Sequence, residues 1–576
     1  MSLHEFDYTK IYTADTVTKS TECIYSRDTY HTTGDFAIVM NAGSYAEWKI
    51  EACKSGKFTI TVKYSSDIDS EITAVLGVNS EEKATLKFVP CRYYARTKNE
   101  YRTGVMRCAR AVVDLKEGEN TIFIKLPEYD KYGTVSIDTI SVSDGRLCEM
   151  RQPIYDISDF TTDNDGTTDC TEAIQRALDC CKDGGGTLYI HDGDYLISGA
   201  VLYSDTTVYV DETARIYGND NQNAYPVHNV THTYIQEYSN GFKALFYSEG
   251  SENIAITGGG TIGIKNGDSD IFEGREWQRP TVVTFISCSN IVISNIDIKE
   301  SGSWTVILLE CSNAIIDSIN LDAANHINRD GIDPVDSEDI FITNSALLSG
   351  DDVICPKSGT YKGVQNLHVR NCALSSCGAN GIKFGSSSYQ QLKHCTFEDI
   401  VMIHINLAGI SLGSADGADV DDIHFRNIKM SSVRVPISIL NGGGVRGRRI
   451  NGAPMKRGSM KNITIENLFA DNLRDNFGSH IDGRSKDGVQ DRISDILLKN
   501  VHIECKGGYC GEIPSQPIEY NGEYPDYYWC EPTMPAYGLY VRHTDNIRLE
   551  NCEFDLLTDD SREAVLFDDC TNVLRD

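Results

Sequence analysis

One pattern recurs along the second half of the chain and limits the fold more than anything else in it. It appears as "NIVISNIDIKES" at 290, "NAIIDSINLDAA" at 313, "DIFITNSALLSG" at 339 and "NLHVRNCALSSC" at 366. Later copies are "DIHFRNIKMSS" at 422, "NITIENLFADN" at 462, "DILLKNVHIEC" at 495 and "NIRLENCEFDL" at 546. The early copies start 23, 26 and 27 residues apart. Each copy is two short apolar-alternating strands joined by a polar bend, often Asn. One such unit cannot bury its apolar face alone, but units stacked as coils can, which is the logic of a parallel β-helix. A leucine-rich repeat has a similar period, but its Leu spacing and Asn position are missing. A β-propeller would need four strands in a longer period.

The 576 residues are too many for one ordinary core, so at least two domains are expected. Residues 1–148 alternate apolar and polar over short windows such as "YAEWKIEA", "KFTITVKYSS" and "TIFIKLPE", separated by turn signals such as "KSGK" and "KEGEN". That reads as an antiparallel β-sandwich. The parallel coils then occupy 152–576. They open with "CTEAIQRALDCC", whose Ile174, Ala177, Leu178 and Cys181 share one helical face and suit a cap on the N-terminal end of the stack.

Charge narrows the partners. Lys plus Arg is 53 and Asp plus Glu is 84, a net charge of −31. Nucleic acid and anionic membrane surfaces demand a basic footprint, so neither is an expected partner. No apolar run approaches the ~20 residues that span a bilayer. The N-terminus, "MSLHEFDYTKIYTADT", lacks a basic region followed by an apolar one. The expected location is therefore the cytoplasm, or outside the cell if a leader has been removed. The 19 cysteines are scattered with no CxxC pair at metal-site spacing, which reads as buried free thiols rather than a zinc site.

The stretch "NRDGIDPVDSEDIFITNSALLSGDD", 328–352, carries seven acids. Adjacent coils of such a stack lie ~4.8 Å apart, so residues about one coil apart in sequence sit above one another. Asp330 and Asp351 differ by 21 positions. Gly350 lets the chain bend so that Asp351 and Asp352 reach the same surface. Clustered carboxylates raise at least one pKa, leaving a protonated acid beside ionised bases. Glycoside hydrolysis with inversion needs that division of labour across roughly 6.5–9.5 Å. A solvated acidic face or a calcium site would use the same residues. Asp333 is expected to support the turn, and Asp336, Glu338 and Asp339 to be bend and solvent residues.

The segment 328–359, "NRDGIDPVDSEDIFITNSALLSGDDVICPKSG", resembles the core of the polygalacturonase-type glycoside hydrolases, family 28, with its N-T-D-G-I-D, G-D-D and K-S-G elements. The preceding "SWTVILLECSNAIIDSINL" resembles the family's coil before it, and the likeness spans roughly 153–500. It implies an all-β chain with a right-handed parallel β-helix and inverting hydrolysis of galacturonides and related pectic chains. It implies no cofactor for catalysis; any metal is left open. It assigns Asp351 as general acid, Asp330 and Asp352 as the pair that activates water, and Asn328 to the same cleft. Two elements depart from the family. Its G-H-G is "GANG" here, with Asn380 at the His position and Lys383 three residues on. Its R-I-K is "SLG", with Ser411 and Gly413 where the carboxylate-holding Arg and Lys would stand.

Other residues are expected to fill that gap. Lys383 is one, whether on the substrate or on one of the acids. The glycine-rich "NGGGVRGRRINGAPMKRG", 441–458, offers Arg446, Arg448, Arg449, Lys456 and Arg457. His326, Trp277, Trp304, Trp529 and the Tyr-rich 521–529 are candidate sugar contacts. The N-terminal unit resembles jelly-roll carbohydrate-binding modules in its ending "GENTIFIKLP…GTVSIDTISV", with Asp138 before the last strand, and such modules often hold a structural calcium. Two other readings compete: a pectate-lyase-like β-eliminase, which needs calcium and an Arg or Lys base, and a non-catalytic carbohydrate-binding protein.

Overall fold

The computed structural model of the protein describes all residues except 1–8, 27–31, 96–99, 130–132, 230–240, 266–271, 273, 275–277, 325–327, 360–361, 447–455, 487, 518 and 521–532. From Ile154 onward the chain is a parallel β-helix. A 23-stranded sheet, as described, runs from Ile154–Asp156 to Thr571–Arg575 and holds two faces of every coil. The repeats lie in register: Ser289 pairs with Ser312, Ser312 with Glu338, and Glu338 with Gln365. The Asn-rich bends have a backbone reason. Asn290, Asn313, Asp339 and Asn366 stack at φ near +55°, a left-handed conformation that Asn and Asp tolerate best. Their side chains bond along the stack, for example Asn366 Nδ2 to Asp339 Oδ1 at 2.9 Å. The helix Thr171–Cys180 buries Ala173, Ile174, Ala177 and Leu178 on the first coils, as its periodicity predicts. No helix among the described residues is long and apolar enough to cross a membrane.

The remaining face is built from two smaller parallel sheets. Five strands run from Ala200–Val201 to Ile332–Val335, and six from Ile382–Phe384 to Glu563–Asp568. Only isolated bridges join them, Ile332 to Ile354 and Ile354 to Ile382. The "GDD" turn lies in that interruption. This face is also covered. The strands Thr281–Ile286, Val306–Leu309, Ala408–Ser414, Val435–Asn441 and Ser479–Asp482 are buried at every position. Strands of the large sheet instead alternate, with every second side chain or so reaching solvent, as in Met460–Asp471.

Residues 10–144 form a nine-stranded antiparallel sheet that turns back on itself at the long strand Ala37–Ala52. That strand pairs with one partner through Ile38–Met40 and another through Tyr45–Ala52. Trp48, Phe58, Ile60, Leu76 and Phe88 fill the enclosed core. One face of this sheet is spent on the β-helix, against a second ladder of left-handed bends at Ser318, Asn344 and Asn371. Thr61 Oγ1 meets Ser318 Oγ at 2.6 Å, Lys63 Nζ donates to Asn371 Oδ1 at 2.7 Å, and Asn344 Nδ2 donates to Ser143 Oγ at 3.1 Å. Asn320 exchanges two hydrogen bonds with the Cys108 backbone, at 2.8 and 2.9 Å. Asp138 is fully buried, pairs with Lys63 at 3.1 Å, and accepts from the Thr33 amide and hydroxyl.

Candidate active site

The coil spacing places Asp330, Asp352 and Asn380 in one stack. Their backbones are consecutive rungs: Gly331 N bonds Asp352 O at 2.9 Å and Val353 N bonds Asn380 O at 3.0 Å. Asp352, 22 residues on, is thus the rung above Asp330, and Asp351 stands one residue aside over Asn328 and Arg329. Asp351 takes the Asn328 amide on Oδ2 and the Asp352 amide on Oδ1, both at 3.0 Å. Its carbonyl accepts from the Ser349 and Ser376 hydroxyls, each at 2.6 Å. Glycine is needed where coils close most tightly: a Cβ on Gly378 would lie 2.0 Å from Gly350 O.

Asp330 and Asp352 are each 4% exposed, whereas Asp351 is half-buried. Burial is the largest influence on the Asp351 carboxyl and pushes it well up, reinforced by the negative charges of Asp330 and Asp352. Asp330 is also pushed up, to about 6, by burial, and the Lys357 ammonium opposes that rise. Asn380 holds Asp352 with two donors, its amide at 3.0 Å and Nδ2 at 2.7 Å to the same oxygen. Its Oδ1 accepts from Ala408 N at 3.0 Å, which fixes the orientation of the side-chain amide.

Lys357 is a central residue that the sequence reading passed over. Its Nζ lies 3.0 Å from Asp330 and 2.8 Å from Asp333, receives support from the Cys355 sulfur at 2.8 Å, and stands 4.2 Å above the Trp304 ring. The signal was available: "PKSG" lies one coil after "GID", with Lys357 paired in register with Val335. Trp304 is 5% exposed beneath that ammonium, so its face is engaged by Lys357. One ligand atom each from Asp330, Asp352 and Cys355 lies within 4.8 Å of the others, a donor set that the Lys357 ammonium touches on two sides.

Arg279 is a second unforeseen cation, 2% exposed, whose Nη2 donates to Asn328 Oδ1 at 3.1 Å. Buried Arg329 pairs with Glu300 at 2.8 Å. Lys383 faces the same side one coil beyond Cys355, and its Nζ donates to Ser411 Oγ, its register partner, at 3.1 Å. From there the row continues through Ser438 to His480, joined at 2.9 Å. Burial pushes the His480 imidazole down to about 3.

Other expectations resolve differently. Asp336 is not a solvent residue: it is fully buried and accepts from the Gly359 and Gly363 amides at 3.0 and 2.7 Å, closing the loop after the motif. Asp333 is fully buried against Lys357. Glu338 and Asp339 are half-buried. Arg446 reaches Asp416 at 3.8 Å and Ser386 O at 2.7 Å, Lys456 pairs with Asp419 at 2.9 Å, and Arg457 pairs with Asp491. These cations tie the two described ends of the glycine-rich segment to the coils. His326, Trp277, Arg448, Arg449 and Trp529 lie outside the described residues.

Comparison with known proteins agrees with this fold. The family described as "Glycosyl hydrolases family 28" matches residues 199–514. A "Probable polygalacturonase" of Vitis vinifera is 25% identical over 389 residues, covering 62% of this chain and 71% of that protein. A "Probable exopolygalacturonase X" of Aspergillus flavus is 24% identical over 331 residues, covering 54% and 66%. The solved family 28 exopolygalacturonase of Yersinia enterocolitica superposes with a TM-score of 0.57 at 16% identity, covering 98% of each chain, which is a likeness of fold.

Proposed function

Since the chain belongs to glycosyl hydrolases family 28 and is therefore a glycoside hydrolase, we propose that it cleaves pectic saccharides with inversion, by direct attack of water. Asp351 is the general acid. Its half-buried carboxyl, held protonated by burial and two neighbouring negative charges, delivers its proton to the leaving glycosidic oxygen. Asp330 and Asp352, stacked on successive coils, hold the water and take its proton as it attacks the opposite face of the sugar. Lys357 keeps Asp330 ionised as a base, and Asn380 aims Asp352. The observation that carries the assignment is this split: three carboxylates on two rungs, of which Asp351 alone is partly open to solvent and, among the described residues, without a cation against it, while Asp330 is buried against the Lys357 ammonium.

The substrate reading follows from the cations. Lys383 stands directly below Ser411 in register, so a charge enters this part of the cleft from one coil earlier than the family pattern would place it. Arg279, behind Asn328, supplies another. Both suit a uronate or a similarly anionic sugar. The covered flanks suit attack at a chain end: Phe242, Tyr247 and Trp304 close the face on one side of the acids, and Tyr520, Phe477 and Met534 on the other. The relative from Aspergillus flavus carries an exo-acting name.

The test is proton NMR of a fresh digest of oligogalacturonides, with products sampled from the first per cent of turnover. The expected result is a product of inverted anomeric configuration and one uniform short length. A retained configuration would remove the water-attack assignment. An unsaturated, ultraviolet-absorbing product would replace it with elimination. A broad early spread of lengths would remove the chain-end reading alone.

A further inference from the structure

The antiparallel N-terminal sheet reaches the back of the proposed site. Ala324, Leu348 and Cys377 come from three successive coils, and each lies four, three and three residues before Asn328, Asp351 and Asn380. All three are 5% exposed or less and belong to the hydrophobic core of the N-terminal unit, together with Cys91, Tyr93 and Val105. The segments leading to Asp330, to Asp351 and Asp352, and to Asn380 are thus each embedded in the other half of the molecule.

One polar chain runs through this contact. The hairpin of strands Arg92–Ala95 and Glu100–Thr103 brings the Tyr93 hydroxyl to the Cys377 thiol, with Arg102 Nη1 donating to the same hydroxyl at 3.5 Å. The Cys377 amide donates to Ser349 O at 3.0 Å. The residue before it, Ser376, donates from Oγ to Asp351 O at 2.6 Å and accepts from Ala379 N at 2.9 Å. Ser349 holds the same Asp351 carbonyl from within its own coil, two residues before it. The backbone of Asp351 is pinned from two sides, and one of those pins is anchored in the N-terminal unit.

We propose that the N-terminal unit is part of the catalytic apparatus, and that Tyr93 is a positioning residue for Asp351, acting through Cys377 and Ser376. This rests on the assignment of Asp351 above and goes beyond it. It gives the unit a role that needs no bound sugar: a rigid backing for three turns whose side chains must hold their places to within a fraction of an ångström. Misplacement by about 1 Å costs up to ~100-fold in rate.

The test uses the full-length enzyme and four variants, Tyr93→Phe, Cys377→Ala, Cys377→Ser and Thr61→Val. Tyr93→Phe and Cys377→Ala are expected to lose about tenfold in kcat with KM within about twofold, and Cys377→Ser, which keeps a hydrogen-bonding group, to recover most of it. Thr61→Val removes the contact with Ser318, far along the same interface, and is expected to lower Tm while leaving kcat alone. The proposal is overturned if Tyr93→Phe and Cys377→Ala keep wild-type kcat, or if Thr61→Val loses as much as they do. Hydrogen exchange of peptides spanning 346–353 and 376–381 gives a readout free of activity. Protection there is expected to fall in Cys377→Ala while that of 460–471 holds, and unchanged protection also overturns the proposal. Should the wild-type enzyme cleave no pectic saccharide, the functional assignment fails and the exchange measurement still decides this one.

Discussion

The Lys357 ammonium and the Asp330 carboxylate form a buried ion pair 3.0 Å apart, each side chain 5% exposed. The pair is most sensitive to loss of Lys357, which also holds Asp333 at 2.8 Å, because the two carboxylates would then lie buried with neither water nor a counter-ion.

Replacing Lys357 with Met tests that pair through the pH profile. The ammonium lowers the Asp330 pKa, so its removal raises a value already at about 6. A base must be ionised to act, and the acid limb of kcat/KM is therefore expected to move to higher pH. Activity near pH 5 should fall by at least about tenfold, a one-unit displacement, and recover in part above pH 7. An acid limb that stays in place would mean that Asp330 is not the titrating base.

Asp351→Asn is expected to cut kcat by about 10²–10⁴-fold. It should also make the protein more stable at neutral pH. The folded-state pKa of Asp351 lies above the unfolded one, so the native state binds this proton more tightly. Stability from this group is greatest below the unfolded value of about 4 and is lost as pH rises toward the folded value. A neutral Asn escapes that loss. Calorimetry should find the Tm gain at pH 7 and little difference near pH 4.

Asn380→Asp removes the Nδ2 donor to Asp352 and places a second carboxylate against it. Activity is expected to fall about 100-fold with the fold intact, and Asn380→Ala should do similar harm by freeing the Asp352 carboxylate to rotate. Initial rates beside a circular-dichroism melt distinguish loss of aim from loss of structure.

Lys63→Met leaves Asp138 buried and uncompensated at the interface between the two halves. A destabilisation of about 3–5 kcal/mol is expected, read from denaturant melts, and Asp138→Asn in the same chain should restore part of it.

Much of this architecture was legible because coil stacking turns sequence spacing into position. The recurring two-strand pattern with its Asn bend predicts the coils, and the Asp330-to-Asp351 interval predicts a shared surface, on which the structure puts Asp352 as the rung above Asp330. What escaped were contacts made across long sequence separations. Lys357 looked like one polar residue in a glycine-bearing turn, and only the fold carries it back one coil to Asp330 and Asp333. Asp336 reads as a bend and solvent residue in the sequence, yet the Gly359 and Gly363 amides, 23 and 27 residues on, hold it inside. Thr61, Lys63 and Ser143 sit on an alternating strand face that reads as solvent-facing, and the partner that covers them lies over 170 residues away. Arg446 and Lys456 are expected from the sequence to face an acidic saccharide, whereas Asp416 and Asp419 from neighbouring coils hold them.

The covered flanks of the smaller sheets bear on how such an enzyme would work through a polymer. A groove open at both ends lets a chain thread forward while a cut piece slips out ahead of it. Where walls stand on either side of the acids, entry and exit share one doorway. On the chain-end reading proposed above, each released sugar would have to clear that doorway before the shortened chain could present its new terminus, and crowding by product would slow turnover at the threshold rather than at the bond.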